Sequence, residues 1–204
     1  MHMAASQDKT ASVLRLARKA GVLHAREVRA LGIHAEYLRR LCARGLLDRV
    51  GRGRYVLPGA QISVHHGLAL AAKAVPKGVV CLLSALQFHG IGTQAPRAVW
   101  MALDRRAARP RVDYPRLRIA RFSGSALSQG VETHVIDGVP VKVYSVAKTV
   151  ADCFKYRNKI GLDVALEALR ECRRRRRCSM DELWRYANVC RVQNVMRPYL
   201  EVLA

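Results

Sequence analysis

Apolar residues recur at helical spacing three times in the first 45 positions of the chain. Val13, Leu14, Leu16 and Ala17 predict a helix over 8–19, with Gly21 as its stop. Val28 and Leu31 predict a short helix over 25–31 with both residues inward, closed by Gly32. Leu38, Leu41 and Cys42 form an i, i+3, i+4 stripe over 34–44, ended at Gly45. The apolar pairs Leu46-Leu47 and Val56-Leu57 then flank "RVGRGRY" (49–55), whose glycines predict a tight hairpin. Three helices and a hairpin, in that order, predict a winged helix-turn-helix domain over residues 1–60. The helices at 25–31 and 34–44 would be its helix-turn-helix pair.

After Pro58-Gly59 the pattern restarts. The stretch 57–66 reads as a linker, followed by a helix running to Pro76 and an apolar helix over 78–92. Residues 98–103, 117–122, 132–136 and 139–145 read as strands, the last two joined by Asp137-Gly138. Helices follow over 145–156 from a Ser145 N-cap, over 161–172, and over 179–190 behind the capping box Ser179/Glu182. A last helix, 193–204, is expected to be interrupted near Pro198. The fold class is therefore α+β: an N-terminal winged helix-turn-helix, 1–60, and a larger α+β domain, 61–204.

Charge changes the picture. Lys and Arg number 36 against 15 Asp and Glu, a formal +21. Residues 1–60 carry a net +8 and the remainder +13, so the excess is no basic tail on a neutral body. Such a balance points first to nucleic acid, with acidic proteins and anionic membrane surfaces as competing partners; together with the winged helix-turn-helix pattern it makes double-stranded DNA the expected partner. Half the residues are apolar, which excludes a disordered chain. The opening "MHMAASQDKT" carries no signal-peptide pattern and no apolar run reaches membrane-span length, so a cytoplasmic protein with no membrane partner is expected. The six cysteines lack zinc-site spacing; they are expected as thiols, with no metal and no cofactor.

On the third helix, Glu36, Arg39, Arg40, Ala43 and Arg44 lie opposite the apolar stripe. Of these Glu36, Arg39 and Arg40, with Tyr37 as a further candidate, would come near base edges; Arg44 would hold phosphate. Glu36, Tyr37, Arg39, Arg40 and Arg44 are therefore candidate DNA-binding residues, with Arg26 at the start of the second helix and Arg52 and Arg54 in the hairpin. The five-residue run Arg173, Arg174, Arg175, Arg176 and Arg177 covers more than a full helical turn. It is a candidate for an extra nucleic-acid contact, or else a solvated helix end. The stretch 104–121 is a second arginine-rich segment, expected as an exposed loop running into the strand at 117–122. Catalytic candidates are thin. Asp104, Asp113, Glu132, His134, Asp137, Lys148 and Asp152 fall in no nuclease or hydrolase spacing, His89 reads as a packing residue, and no enzyme is expected. Lys148 and Asp152, at i and i+4, read as a surface pair.

The run "VLRLARKAGVLHAREVRALGIHAEYLRRLCARGLLDRVGRGRYVLPG" (13–59) resembles the AbiEi family of antitoxin-regulators from type IV toxin–antitoxin systems. The likeness continues through "LLSALQFHGIGTQAPRAVWMAL" (82–103) and "GVPVKVYSVAKTVADCFKYRNKIGLDVALEAL" (138–169). It implies a cytoplasmic repressor whose winged helix binds its own promoter or operator. Its C-terminal domain would oppose a cognate nucleotidyltransferase-like toxin without forming a stable complex with it. The alternative is a DNA-binding regulator with no toxin partner, whose C-terminal domain senses a small ligand or binds nucleic acid.

Overall fold

The computed structural model describes the backbone of residues 2–59, 64–112 and 114–203, and the side chains of these residues except 2–8 and 19. Linker positions 60–63 and Asp113 lie outside the described residues. The chain forms two compact units, Met1–Ser63 and Val64–Ala204.

The first unit runs α1 (His2–Ala20), β1 (Leu23–His24), α2 (Ala25–Ala30), α3 (Glu36–Ala43), β2 (Asp48–Gly51) and β3 (Arg54–Val56). Val13, Ala17, Leu23, Val28, Ile33, Leu38, Leu41, Leu47 and Tyr55 close one core among them. This is a winged helix-turn-helix. The short strand β1 escaped the sequence pattern, being two residues long. It pairs antiparallel with β3, Leu23 opposite Tyr55, and completes a three-stranded sheet in the order β1-β3-β2. Leu31 corrects an expectation: it caps α2 and is 54% exposed rather than inward, and Ile33 takes the core position instead. The chain turns at Gly32 in the left-handed region, which puts Leu31 outside the turn.

The second unit is built on a five-stranded mixed sheet. Its elements are α4 (His66–Ala74), β4 (Val79–Val80), α5 (Leu82–His89), β5 (Val99–Asp104), β6 (Leu117–Phe122), α6 (Ser125–Ser128), β7 (Val131–Ile136) and β8 (Val139–Tyr144). Then come α7 (Val146–Lys155), α8 (Arg157–Ile160), α9 (Leu162–Arg174), α10 (Met180–Val189) and α11 (Gln193–Val202). Strand order is β6-β5-β4-β8-β7. Strand β5 shows how the layers form. Val99, Met101 and Leu103 join the cluster with α4, while Trp100 and Ala102 join the opposite cluster with α7, α9, α10 and α11. Strict alternation over a strand covered on both faces gives a three-layer α/β/α arrangement.

Three local expectations need correction. Val79-Val80 is a central strand and the helix begins only at Leu82. A continuous apolar run cannot distinguish buried strand from buried helix, and the β-branched pair decides it. The final helix runs through Pro198 without interruption. Cys172 and Cys178 are joined as a disulfide across the arginine run, with Cα atoms 6.0 Å apart; Cys42, Cys81, Cys153 and Cys190 are free thiols.

The largest correction concerns α7. Every residue from Val146 to Phe154 is buried, and Lys148 and Asp152 are both fully inaccessible. Lys148 Nζ donates to both Asp152 oxygens at 2.6 Å and stands over the Tyr144 ring at 4.1 Å. Cys190 Sγ donates to Asp152 Oδ1 at 3.2 Å. Burial pushes the Asp152 carboxyl above its ordinary range, with Lys148 opposing the rise. What looked like a surface pair is a sealed ion pair inside a helix wrapped on all sides.

The capping box of α10 is formed: Glu182 N donates to Ser179 Oγ at 3.1 Å and Ser179 N to Glu182 Oε2 at 2.8 Å. Ser179→Ala is expected to cost about 1 kcal/mol. Urea unfolding followed by tryptophan fluorescence reads this selectively, since Trp100 and Trp184 both lie in the second unit. An unchanged midpoint would mean the cap is redundant. Ser145, by contrast, stands at the N-cap of α7 without capping it; its hydroxyl is buried and has no hydrogen-bond partner among the described residues.

Among the described residues no helix is long and apolar enough to cross a membrane, and no three His, Cys, Asp or Glu side chains gather to hold a metal ion.

Candidate nucleic-acid interface

The outer face of α3 follows from its inner one. Leu38 and Leu41 are fully buried, so at about 100° per residue positions 36, 39, 40 and 44 share an outward arc of about 140°. Glu36, Arg39, Arg40 and Arg44 are all exposed on it. Glu36 Oε1 lies 3.6 Å from Arg39 Nε, an exposed pair worth well under 1 kcal/mol and readily exchanged for another partner. Arg40 and Arg44 have no carboxylate partner within the described residues. Tyr37 differs from the others. It is half-buried, and its hydroxyl lies 2.6 Å from Thr10 Oγ1 on α1, which fastens α3 to the first helix.

The hairpin is held against α2. Gly53 sits in the left-handed region (φ 68°), a conformation other residues adopt only at a cost, and its carbonyl accepts from Ala25 N at 2.9 Å. That bond joins the turn to the first residue of α2. Arg52 and Arg26, each adjacent in sequence to one of the bonded residues and both exposed, are thereby brought to one end of the unit. Arg54 is exposed and its guanidinium lies across Gly51: a Cβ there would stand 2.7 Å from Arg54 Nη2. Gly51 therefore provides a seat as well as a bend. Val50 bulges out of β2, between Arg49 and Gly51, and is 45% exposed. Arg49 turns its Nε to Gly51 O at 3.4 Å. Arg29, exposed one helical turn after Arg26, joins these basic positions, although only the spacing of 26 and 29 could have pointed to it.

The five-arginine run, in the second unit, is not uniform. Arg173 is half-buried, and its Nε has no partner among the described residues. Arg174 pairs with Glu171 at 3.5 Å. Arg175 also pairs with Glu171 and donates to Gly90 O at 2.9 Å, so it serves the fold. Arg176 and Arg177 are exposed and make no side-chain hydrogen bond or ion pair among the described residues. Arg176 adopts φ 52°, and the bonds Arg176 N to Arg173 O and Arg177 N to Cys172 O close the turn that the disulfide spans.

A small three-helix core, a three-stranded sheet and an exposed basic second helix of the helix-turn-helix pair define the winged-helix class. Residues 12–58 match the model of a family described as "Transcriptional regulator, AbiEi antitoxin". The AbiEi resemblance read from the sequence is thus met over the winged unit. The two further blocks at 82–103 and 138–169 lie outside the matched residues. No curated protein matches the chain. In fold it is similar to the crystal structure of the RV2827C protein from Mycobacterium tuberculosis, with a TM-score of 0.51 and 12% identity. That similarity covers 88% of this chain and 69% of the other.

Proposed function

We propose that this protein is a DNA-binding transcriptional repressor of its own operon, acting as the antitoxin of a type IV pair whose toxin is nucleotidyltransferase-like. The observation that carries the DNA-binding part is the outward face of α3. It presents three arginines opposite a fully buried leucine stripe, in the position of a recognition helix. Helix α3 enters the major groove, with Arg39 and Arg40 at base edges and Glu36 between them, because guanidinium groups pair with guanine acceptors in two-bond fashion. Arg26, Arg44, Arg52 and Arg54 hold phosphates. Tyr37 contributes by fixing the angle of α3. Arg176 and Arg177 are the two members of the arginine run with side chains to spare for a further contact. The protein works in the cytoplasm and performs no catalysis.

The family match over 12–58 supports the regulatory reading. The antitoxin role rests on the family's description and is tested separately. A gel shift of the full chain on its own upstream DNA should show a discrete complex that survives excess unrelated duplex. Equal competition by any duplex would overturn sequence-specific repression. Co-expression with the product of an adjacent nucleotidyltransferase-like gene should restore growth, without co-purification of the two proteins. Failure to restore growth would leave a regulator and remove the antitoxin.

The seat of Arg54 gives a finer test. Gly51→Ala should leave the thermal melting of the chain unchanged, because only the mobile end of Arg54 must move. Binding to the upstream DNA should weaken roughly two- to tenfold, the cost of ordering an arginine no longer held in place. Unaltered affinity would mean that Arg54 makes no contact in the complex.

A second reading, a regulator whose second unit senses a small ligand, is favoured by a cavity of about 540 Å³ in that unit.

A further inference from the structure

The cavity lies between the end of β6, the loop 123–124, α6, the C-terminal end of α7, α8 and the end of α10. Its size falls within the range that takes a cofactor-sized molecule. Four cations line it: Arg121, Lys155, Lys159 and Arg191. Lys155, Lys159 and Arg191 are exposed, and none makes an ion pair among the described residues; Lys159 Nζ stands 5.6 Å over the Tyr156 ring, a position an incoming phosphate can draw it from. The one carboxylate, Asp152, is sealed at the floor and already neutralised by Lys148 at 2.6 Å. The potential of the cavity is therefore set by uncompensated positive charge. Phe122, Tyr156 and Val189 supply an apolar wall. The two aromatic rings are 5.4 Å apart, and Tyr156 is fixed by bonds from its hydroxyl to Arg121 O and from Arg121 N.

Arg191 also stands apart in its backbone. It occupies the left-handed region (φ 56°) just past α10, where Arg191 N donates to Asn188 O and Val192 N to Ala187 O. That is the helix-ending position glycine usually fills, because a side chain there is strained. An arginine held in glycine's place does nothing for the turn. It is one of the residues that line the basic cavity.

We infer that this cavity binds a nucleoside phosphate, with the phosphates held by Lys155, Lys159 and Arg191 and the flat base against the Phe122 and Tyr156 wall. Concavity favours a small ligand over the phosphate backbone of a duplex, which would need an open surface. The inference deepens the ligand-sensing reading of the second unit and stands independently of DNA recognition, since binding is read without DNA.

The test is isothermal titration of the full chain with each of the four ribonucleoside triphosphates, with pyrophosphate and with adenosine. At least one triphosphate should bind saturably and at least tenfold more tightly than pyrophosphate or adenosine. Arg191→Gly should weaken that binding at least fivefold while thermal melting stays unchanged or rises, because glycine suits the turn. Lys155→Glu with Lys159→Glu should abolish it, whereas the charge-matched pair Arg105→Glu with Arg106→Glu, outside the cavity, should not. Pyrophosphate binding as tightly as any nucleotide would overturn the assignment and leave an anion patch only. Absence of saturable binding, equal loss in the control pair, or no effect of Arg191→Gly would each overturn it too.

Discussion

Replacing Asp152 with alanine should destabilise the second unit by about 3–5 kcal/mol, the largest effect expected of any single substitution here. Its partner is fully buried, so the change strands the Lys148 ammonium between the Tyr144 and Phe122 rings, at 4.1 and 4.9 Å, with no carboxylate. Lys148→Met removes the other charge and leaves Asp152 with only the Cys190 thiol. That variant carries a distinct signature. Burial already raises the Asp152 carboxyl, and without Lys148 nothing but the weak thiol bond opposes the rise. A carboxyl raised in the folded state binds a proton that the unfolded chain releases at about pH 4. Stability of Lys148→Met should therefore fall, relative to the parent, as pH rises from 4 toward the raised folded value. The double substitution Lys148→Met with Asp152→Leu should recover most of the loss, because an apolar pair needs no desolvation. Urea unfolding by tryptophan fluorescence at pH 5 and pH 8 measures all three. A loss below 1 kcal/mol for Asp152→Ala would contradict a sealed pair.

The sequence pattern was a poor guide to that pair for a specific reason. Spacing at i and i+4 states only that two side chains share a helix face, and not what covers that face. On α7 the cover comes from α5, α9 and α10, elements outside the helix whose packing its own spacing does not report, and small residues such as Ala147 and Ala151 let them approach. Strand β4 was lost for a related reason, since Val79-Val80 continues without break into the apolar residues of α5. Where the signal was local, it was readable: the glycine stops of α2 and α3, the hairpin around Arg52-Gly53, and the Ser179/Glu182 box. Within the candidate interface, exposure of Glu36, Arg39, Arg40 and Arg44 followed from the leucine stripe alone. The bond from Ala25 N to Gly53 O, the seat of Arg54 on Gly51 and the tie of Tyr37 to Thr10 each join residues separated by a turn or more. No periodicity reports them.

Arg52→Ala with Arg54→Ala should weaken binding to the upstream DNA and also flatten its dependence on salt. Each phosphate contact releases condensed counterions, so losing two should reduce the slope of log K against log salt by about 1.8. Arg52 sits beside Gly53, whose carbonyl holds the start of α2, and the Arg54 guanidinium lies across Gly51, so the backbone of the turn is anchored where both exposed side chains leave it. Because phosphates are present in every sequence, the loss should be nearly equal on operator and unrelated duplex. Arg40→Ala should behave oppositely. It lies between Glu36 and Arg44 on the exposed face of α3 and has no carboxylate to hold it among the described residues. A two-bond contact with a guanine edge is worth about 1–3 kcal/mol of discrimination. Its removal should cost operator affinity by that amount at one base position, and leave binding to unrelated duplex almost untouched. Titrations of both variants at several salt concentrations, on operator and unrelated DNA, separate the two roles. If Arg40→Ala lost affinity equally on both duplexes with a shallower slope, α3 would lie along the backbone and the base-reading element would have to be sought elsewhere in the first unit.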